Sequence, residues 1–326
     1  MNFETAALQV FPELESSDTI SRKQIKIIQE KTGASWPSHI ANTPNTISRG
    51  LYKFSPRFSI ESGTEIPVTS VIEETDTELY ARLRDTYKTL DKLVEAVSNN
   101  TVNSLIVAGA PGLGKSYEVN KVLNEINSGE YGYIFHRGYL RATHLFRLLW
   151  ENRFQGQTVV IDDCDAIFSD ETALNILKAA LELKETRMIG WGSEKEFVDA
   201  DGDTIPRYFD FQGNVIFLTN LNFSEMAGGN SKNAPHLSAL ESRSLVLDIK
   251  VKTKREFMAK IKLTVQDGML RSKGLRPDEE DIIVSFMEEN VDRLKECSLR
   301  MCEKIAALYL LDKSDWKTLA RTVCLK

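Results

Sequence analysis

Eight consecutive residues, Gly109 to Ser116, have the composition of a phosphate-binding loop. They read Gly-Ala-Pro-Gly-Leu-Gly-Lys-Ser and match the pattern G-x-x-x-x-G-K-S/T at every fixed position. Glycines let the backbone curl tightly and approach an anion closely, because they lack a Cβ. The lysine of such a loop reaches the β- and γ-phosphates of a nucleotide, and the hydroxyl of Ser116 would hold Mg²⁺. We therefore expect a nucleotide to be bound by Gly109, Ala110, Pro111, Gly112, Leu113, Gly114, Lys115, Ser116 and Tyr117.

The loop lies between a predicted strand and a predicted helix. Residues 104–108 form an apolar segment typical of a buried parallel strand. Residues 117–126 place four apolar side chains on one face of a helix. A strand, a loop and a helix in this order direct backbone N–H groups and a helix N-terminus at one point. This context disfavours the alternative that the glycine-rich stretch is a chance turn.

A run of carboxylates follows a second predicted strand, at residues 158–161. The acids are Asp162, Asp163 and Asp165. Parallel strands deliver the residues at their C-terminal ends to the sheet edge where open α/β sheets bind ligands. At that edge Asp162 would organise the Mg²⁺ shell through water, and Asp163 would accept a proton from an attacking water. A strand with trailing acids is common, so the position about 45 residues after the loop gives this motif its weight.

Three further polar residues are candidates for the same chemistry. Asn220 ends a predicted strand at 214–220 and could orient the water, unless it merely begins a turn. Arg243 lies between a short predicted helix and the last predicted strand, 244–249. Arg300 lies in the first turn of a predicted helix, where a cation opposes the helix dipole. Its placement favours a phosphate contact, and the alternative is a surface arginine near an acidic neighbour.

Length and charge limit the function classes. The chain has 326 residues, enough for two or three domains, and a formal net charge of −6, which provides no global attraction to nucleic acid. We find no apolar run near 18 residues and no signal peptide, so we expect a cytoplasmic protein with no membrane segment. The four cysteines match neither a zinc pair nor a thioredoxin-like motif. The acids of residues 199–203 do not fit a calcium loop, and Asp201-Gly202 indicates a projecting hairpin instead.

The N-terminal region, residues 1–75, is predicted to be a small basic recruitment module followed by a linker. Between residues 17 and 57 there are seven Lys or Arg residues and two acids. Residues 19–31 predict a short helix, and residues 47–54 predict a strand or a docked arm. Such a module, faintly similar to a helix-turn-helix unit, could bind nucleic acid or a protein partner. A solvated helical cap explains it equally well.

The remaining pattern predicts an α/β domain and a helical domain. Five apolar segments predict a parallel five-stranded sheet, and a long amphipathic helix with Asp76 as its N-cap precedes the first strand. Further helices are predicted at residues 142–152 and 170–184, and from Lys254 the pattern is helical to the end, with three helices. The predicted strands cover residues 104–108, 131–135, 158–161, 214–220 and 244–249.

Over residues 75–312 the chain resembles the AAA+ ATPases, with no subfamily indicated. The phosphate loop resembles the family's Walker A motif, which is highly specific, whereas the other matches are specific only through their order. The resemblance implies a P-loop NTPase core at residues 76–250 and a helical lid at 251–326. Its motifs correspond to Ile-Asp-Asp-Cys-Asp at 161–165 (Walker B), Asn220 (sensor 1), Arg243 (arginine finger) and Arg300 (sensor 2).

The resemblance implies a Mg²⁺-dependent ATPase, with ATP as the nucleotide. Asp163, Asn220, Arg243 and Arg300 would be catalytic, and Ser116 and Asp162 would hold the metal. The family usually has glutamate where Asp163 stands, and the shorter side chain implies slower turnover. An arginine finger acts on the nucleotide of a neighbouring subunit, so the resemblance implies a homo-oligomeric ring, expected to be a hexamer.

Three functions are consistent with the sequence. The first is a ring that remodels a macromolecular client, with protein favoured by the acidic net charge and an adaptor or client recruited through residues 1–75. The second is an ATPase acting on nucleic acid, such as a loader, a helicase accessory or a packaging or transposition regulator. The third is a slow nucleotide-dependent switch. The resemblance to such rings makes Tyr139 and Leu140 candidates for a pore loop that grips a polymer, and ordinary packing of two apolar residues at a helix start explains them equally well. Arg207, Tyr208 and Phe209 on the 197–212 hairpin are a second candidate contact surface.

Overall fold

A computed structural model describes residues 3–11, 19–32, 46–48, 51–53, 74–126, 132–192, 196–199 and 201–326. The chain divides into two units, Met1–Glu74 and Thr75–Lys326. The first unit contains α1 (Phe3–Val10), β1 (Thr19–Ser21), α2 (Arg22–Thr32), β2 (Thr46–Ser48) and β3 (Leu51–Lys53).

In the first unit the three strands form an antiparallel sheet in the order β1-β3-β2. The predicted helix from residue 19 is wrong at its start, because Ile20 lies in β1, pairs with Tyr52 of β3 and is fully buried. The helix begins at Arg22 instead and buries Ile25 and Ile28. The helix-turn-helix hypothesis depends on residues 33–45, which lie outside the described residues.

The second unit alternates strands and helices and then becomes helical. Its elements are α3 (Asp76–Ser98), β4 (Ser104–Gly109), α4 (Lys115–Ile126), β5 (Tyr133–Arg137), α5 (Ala142–Glu151), β6 (Thr158–Asp162), α6 (Glu171–Ala180), β7 (Met188–Gly190), β8 (Phe197–Val198), β9 (Thr204–Ile205), β10 (Tyr208–Asp210), β11 (Asn214–Thr219), α7 (Phe223–Ala227), α8 (Ala234–Glu241), β12 (Leu245–Ile249), α9 (Lys254–Gln266), α10 (Pro277–Glu289), α11 (Leu299–Leu311) and α12 (Trp316–Cys324).

Five of these strands form the predicted parallel sheet, in the order β12-β4-β11-β6-β5. Every residue of β6 and β11 is buried, as expected of parallel strands covered on both faces. The register brings Ala108 beside Thr219, Leu218 beside Asp162, and Asp162 beside Arg137. The C-terminal ends of these strands are therefore level, and whatever follows them meets at one edge of the sheet.

Helix α3 leads into the first strand of the sheet and packs on it. Its apolar stripe is buried as predicted, but Asp76 is not the N-cap. Thr75 is the N-cap, because its hydroxyl accepts the Glu78 N–H while the Glu78 carboxylate accepts the Thr75 N–H. This reciprocal pair is a capping box, and it satisfies two N–H groups at the helix start.

Helix α6 ends at Ala180, earlier than the predicted residue 184. The buried Arg187 guanidinium donates to the Ala180 carbonyl over 3.1 Å and to the Gly213 carbonyl over 2.8 Å. A cation is favourable at a helix C-terminus, where carbonyls lack partners within the helix. The helix therefore ends where a side chain from later in the chain can cap it.

The four helices α9 to α12, here called the lid, share one hydrophobic cluster. The sequence predicts three of them, and the fourth, α12, was missed. Its buried residues Trp316, Ala320 and Cys324 recur every four positions, so the signal was present. None of the helices in the described ranges is both long enough and apolar enough to span a membrane.

The Asp201-Gly202 hairpin is formed by β8 and β9, with Gly202 at a φ of 91°. Two predicted contact residues are nevertheless in the core. Phe209 is buried against Phe146, with ring centroids 5.2 Å apart, and Leu140 is 2% exposed. Both hypotheses are wrong for those side chains, because each fills the hydrophobic cluster on one face of the sheet. Tyr139, Arg207 and Tyr208 are exposed.

Candidate nucleotide site

Gly112 and Gly114 are required by the backbone conformation of the loop and by the packing of α11 against it. Gly112 and Gly114 have φ angles of 79° and 81°, a region that other residues rarely adopt. A Cβ at Gly112 would lie 2.5 Å from the Cβ of Ser298, and one at Gly114 would lie 2.7 Å from Leu299 Cδ1. The start of α11 in the lid packs directly on the loop, and the Leu299 N–H donates to the Gly112 carbonyl over 3.1 Å.

The Lys115 ammonium forms hydrogen bonds with the backbone of the loop and with Asn220. It donates to the carbonyl oxygens of Gly109 (2.8 Å) and Ala110 (3.1 Å) and to Oδ1 of Asn220 (2.8 Å). Burial lowers the pKa of Lys115, and the carboxylates of Asp163 and Asp162 oppose that shift. The site therefore holds a buried cation next to two acids, and a phosphate would supply the negative charge that favours its protonated form.

Ser116 and Asp162, predicted to hold a metal, are brought together. The Ser116 hydroxyl donates to Asp162 Oδ1 over 2.9 Å, and Asp162 is 4% exposed. Arg137 Nε donates to the other oxygen, Oδ2, over 2.9 Å. A hydroxyl and a carboxylate are hard oxygen ligands of the kind that Mg²⁺ takes, together with phosphates and water. The donor set therefore fits the predicted ion.

Asp163 and Asn220 form a hydrogen-bonded pair at the edge of the cavity. Asn220 Nδ2 donates to Asp163 Oδ1 over 2.7 Å, while the amide oxygen of Asn220 accepts from Lys115. The Asp163 backbone has a φ of 54°, which Asp and Asn tolerate better than most residues. Asn220 does more than begin a turn, since it fixes the carboxylate of Asp163 relative to the ammonium of Lys115.

The lid closes the other side of the cavity. Arg300 Nη2 lies 4.0 Å from Asp163 Oδ2, which brings the two predicted catalytic residues together. Met269 and Glu303 of the lid also line the cavity, and sequence reasoning missed both. Asp165 is not among the lining residues, because its carboxylate accepts the Thr219 hydroxyl over 2.6 Å. The predicted residues that line the cavity are Gly112, Leu113, Gly114, Lys115, Ser116, Tyr117, Asp163, Asn220 and Arg300.

Arg243 is the predicted catalytic residue that lies away from this cavity. Its carbonyl accepts from Ser104, the first residue of β4, whereas the loop follows the last residue of that strand. A strand of this length spans about 17 Å. Arg243 therefore lies near the N-terminal end of β4, whereas the loop lies at its C-terminal end. Its guanidinium donates to the Ala239 carbonyl over 2.7 Å and to Glu182 over 3.3 Å. Arg243 therefore cannot serve the nucleotide site of its own chain.

Arg137 was not predicted as a site residue. It ends β5, and only the strand order places it beside Asp162. Its side chain is 62% exposed while that of Asp162 is 5% exposed, so the arginine covers a buried carboxylate from the solvent side. A local sequence pattern contains no signal for this contact, because the two residues come from strands separated by a helix.

Comparison with known proteins identifies a relative from a virus. No protein-family model matches the chain. The chain is 34% identical over 253 residues to the "Uncharacterized 36.7 kDa protein in nrdC-mobD intergenic region" of Enterobacteria phage T4, and the match covers 76% of each protein.

Two solved structures illustrate more distant likenesses. The Holliday junction branch migration motor RuvB of Thermotoga maritima has a TM-score of 0.43 and 14% identity, over 74% of this chain and 68% of that one. NtrX of Brucella abortus in complex with ATP has a TM-score of 0.42 and 12% identity, over 73% of this chain and 52% of that one. Likenesses this distant do not indicate what this chain binds or does.

Replacing Lys115 with alanine tests the site. The Lys115→Ala variant should bind ADP and ATP about 100-fold more weakly or worse, because charge-assisted hydrogen bonds to phosphate are lost. Calorimetric titration of Mg²⁺-nucleotide measures this, and Lys121→Ala, an exposed lysine of α4, is the matched control. Equal affinity in the two variants would contradict the assignment of the loop.

Proposed function

We propose that this chain, which belongs to the same family as the 36.7 kDa protein of phage T4, is an AAA+ protein that binds ATP with Mg²⁺ and hydrolyses it. The observation that carries the proposal is the meeting of Lys115, Asp162, Asp163, Asn220 and Arg300 around the loop. Four of these side chains come from the start of α4 and from the ends of β6 and β11, and Arg300 comes from the lid. Lys115, Asp163, Asn220 and Arg300 line one cavity, and Asp162 accepts a hydrogen bond from Ser116, which also lines it. An anion with a metal partner is the ligand that satisfies such a set.

Each residue has a role that its position supports. Lys115 and the loop N–H groups would hold the phosphates, and Ser116 and Asp162 would hold Mg²⁺. Asp163, fixed by Asn220, would take a proton from the attacking water. Asp is one methylene shorter than Glu, so we expect slow turnover. Bound Mg²⁺ supplies charge neutralisation at the phosphates.

Arg243 would act on the nucleotide of a neighbouring subunit. Its place at the far end of β4 excludes its own site, and its side chain is 25% exposed and forms an ion pair with Glu182. Assembly would exchange that contact for a phosphate. The working form is therefore a homo-oligomeric ring, which we expect to be a hexamer, with one nucleotide clasped between each pair of subunits.

A mixing experiment tests hydrolysis at a shared interface. Arg243→Ala alone should lower ATPase activity about 10³-fold, the usual worth of such an arginine. Mixed with Lys115→Ala subunits, it should regain part of that activity, because an intact loop then faces an intact arginine. Arg243→Ala mixed with a chain carrying both substitutions should stay inactive. No rescue under assembling conditions would refute action between subunits.

Such a ring would remodel a macromolecular client, and protein is the first choice of client. Tyr139 supports this role, because it is 70% exposed next to the site-forming end of β5. Arg141 donates to the Tyr139 hydroxyl over 3.1 Å and lies over its ring. An aromatic side chain held outward in this way is suited to grip a polymer.

The expected cytoplasmic location stays a prediction.

Action on nucleic acid is the second candidate function, and helix α2 is the observation that favours it. Its exposed face carries Arg22, Lys23, Lys26 and Lys31 against one acid, Glu30. A cluster of this sign attracts phosphate groups, in contrast to the acidic chain as a whole.

The client is identified by what stimulates the ATPase. A denatured protein should raise the rate if the client is protein, whereas DNA should raise it, with a steep loss on added salt, if the client is nucleic acid. Lys23→Glu/Lys26→Glu should abolish stimulation by DNA, while Lys88→Glu/Lys92→Glu, on the exposed face of α3, should not. Stimulation by denatured protein alone would exclude the nucleic-acid alternative.

A further inference from the structure

A buried tyrosine holds the phosphate loop from behind. Tyr87 of α3 is 7% exposed, and its hydroxyl donates to the Leu113 carbonyl over 2.7 Å. Leu113 lies between the two glycines with positive φ. Burial, reinforced by the charge of Glu118, raises the pKa of Tyr87, so the hydroxyl keeps its proton for this bond.

The bond fixes the direction of the next N–H group. A peptide is planar and trans, so the Leu113 carbonyl and the Gly114 N–H point in opposite directions. Because Tyr87 draws the carbonyl away from the cavity, the Gly114 N–H faces toward it. A loop that binds phosphate through N–H groups needs an external partner for its outward carbonyls.

Lys260 of the lid contacts both Tyr87 and Glu118. The Lys260 ammonium, from α9, lies 3.2 Å from the centre of the Tyr87 ring and donates to Glu118 Oε1 over 2.9 Å. The side chains of Lys260 and Glu118 are 3% and 10% exposed. Glu118 is in the first turn of α4, the helix that begins at Lys115. An unpaired negative charge there would oppose the binding of an anion at this helix N-terminus. The lid provides that neutralisation.

We propose that Tyr87, Glu118 and Lys260 are positioning residues that make the shape and charge of the phosphate loop depend on the docked lid. This inference rests on the proposed function, since it concerns affinity for the same nucleotide. If α9 moved away from α3 and α4, the ring of Tyr87 would lose its cation and Glu118 would carry an unpaired charge in the first turn of α4. Lid movement and nucleotide release are thereby coupled through one buried contact, separate from Arg300 on the open side of the cavity.

The experiment compares two tyrosines of one helix. Tyr87→Phe removes only a hydroxyl and should weaken ADP binding about tenfold, the scale of one lost hydrogen bond with its carbonyl left unpaired. Tyr80→Phe, on the same helix and half-buried, should bind as the wild type does. Titration calorimetry with Mg²⁺-ADP gives the affinities, and thermal melting without nucleotide gives the stabilities.

A double-mutant cycle tests the lid residue. Lys260→Met keeps the volume but leaves Glu118 unpaired, and we expect ADP affinity to fall tenfold or more. Adding Glu118→Gln should restore most of it. Wild-type affinity in Tyr87→Phe, with or without a lower melting temperature, would overturn the inference while leaving the proposed function intact. Absence of nucleotide binding by the wild-type protein would instead refute the proposed function.

Discussion

A phosphate loop binds an anion more tightly when its peptide groups are already held in the binding orientation. In this protein that orientation is imposed by neighbouring helices. Tyr87 donates a hydrogen bond to the Leu113 carbonyl, and the N–H of Leu299 from the lid donates to the Gly112 carbonyl. The side chains of Ser298 and Leu299, at the start of α11, leave no room for a Cβ at Gly112 or Gly114. The glycines are thus as much a consequence of lid packing as of backbone conformation.

The charged groups around the loop depend on the same constraint. The level ends of β4, β6 and β11 bring Lys115, Asp162 and Asn220 to the same side of the sheet, where Lys115 donates to Asn220 and Ser116 donates to Asp162. Because Lys115 and Asp162 are buried, their charges interact strongly. Arg243 lies at the opposite end of β4 from the loop, and we propose that it acts on the nucleotide of a second chain.

Most site residues that were predicted from local sequence patterns belong to one motif or follow one strand, so their positions depend on residues nearby in the chain. The loop and its flanking strand and helix follow from one motif, and the carboxylates follow from a strand end. The capping box at Thr75 and the apolar period of α12 were also readable but were missed. Arg137 and Lys260 could not be found this way, since strand order brings the first to Asp162 and lid docking brings the second to Glu118. Leu140 and Phe209 were predicted to be contact residues but are buried. A local sequence pattern does not reveal this, because burial depends on how the whole domain folds.

If nucleotide is bound between two copies of the chain, the mass of the protein in solution must depend on nucleotide. Light scattering, with electron microscopy of the same sample, should be recorded with excess Mg²⁺ and a slowly hydrolysed ATP analogue. We expect closed rings that need nucleotide to form and that are absent from the Lys115→Ala protein. A wild-type protein that remains a monomer at every concentration, with nucleotide bound, would rule out a site shared between two chains.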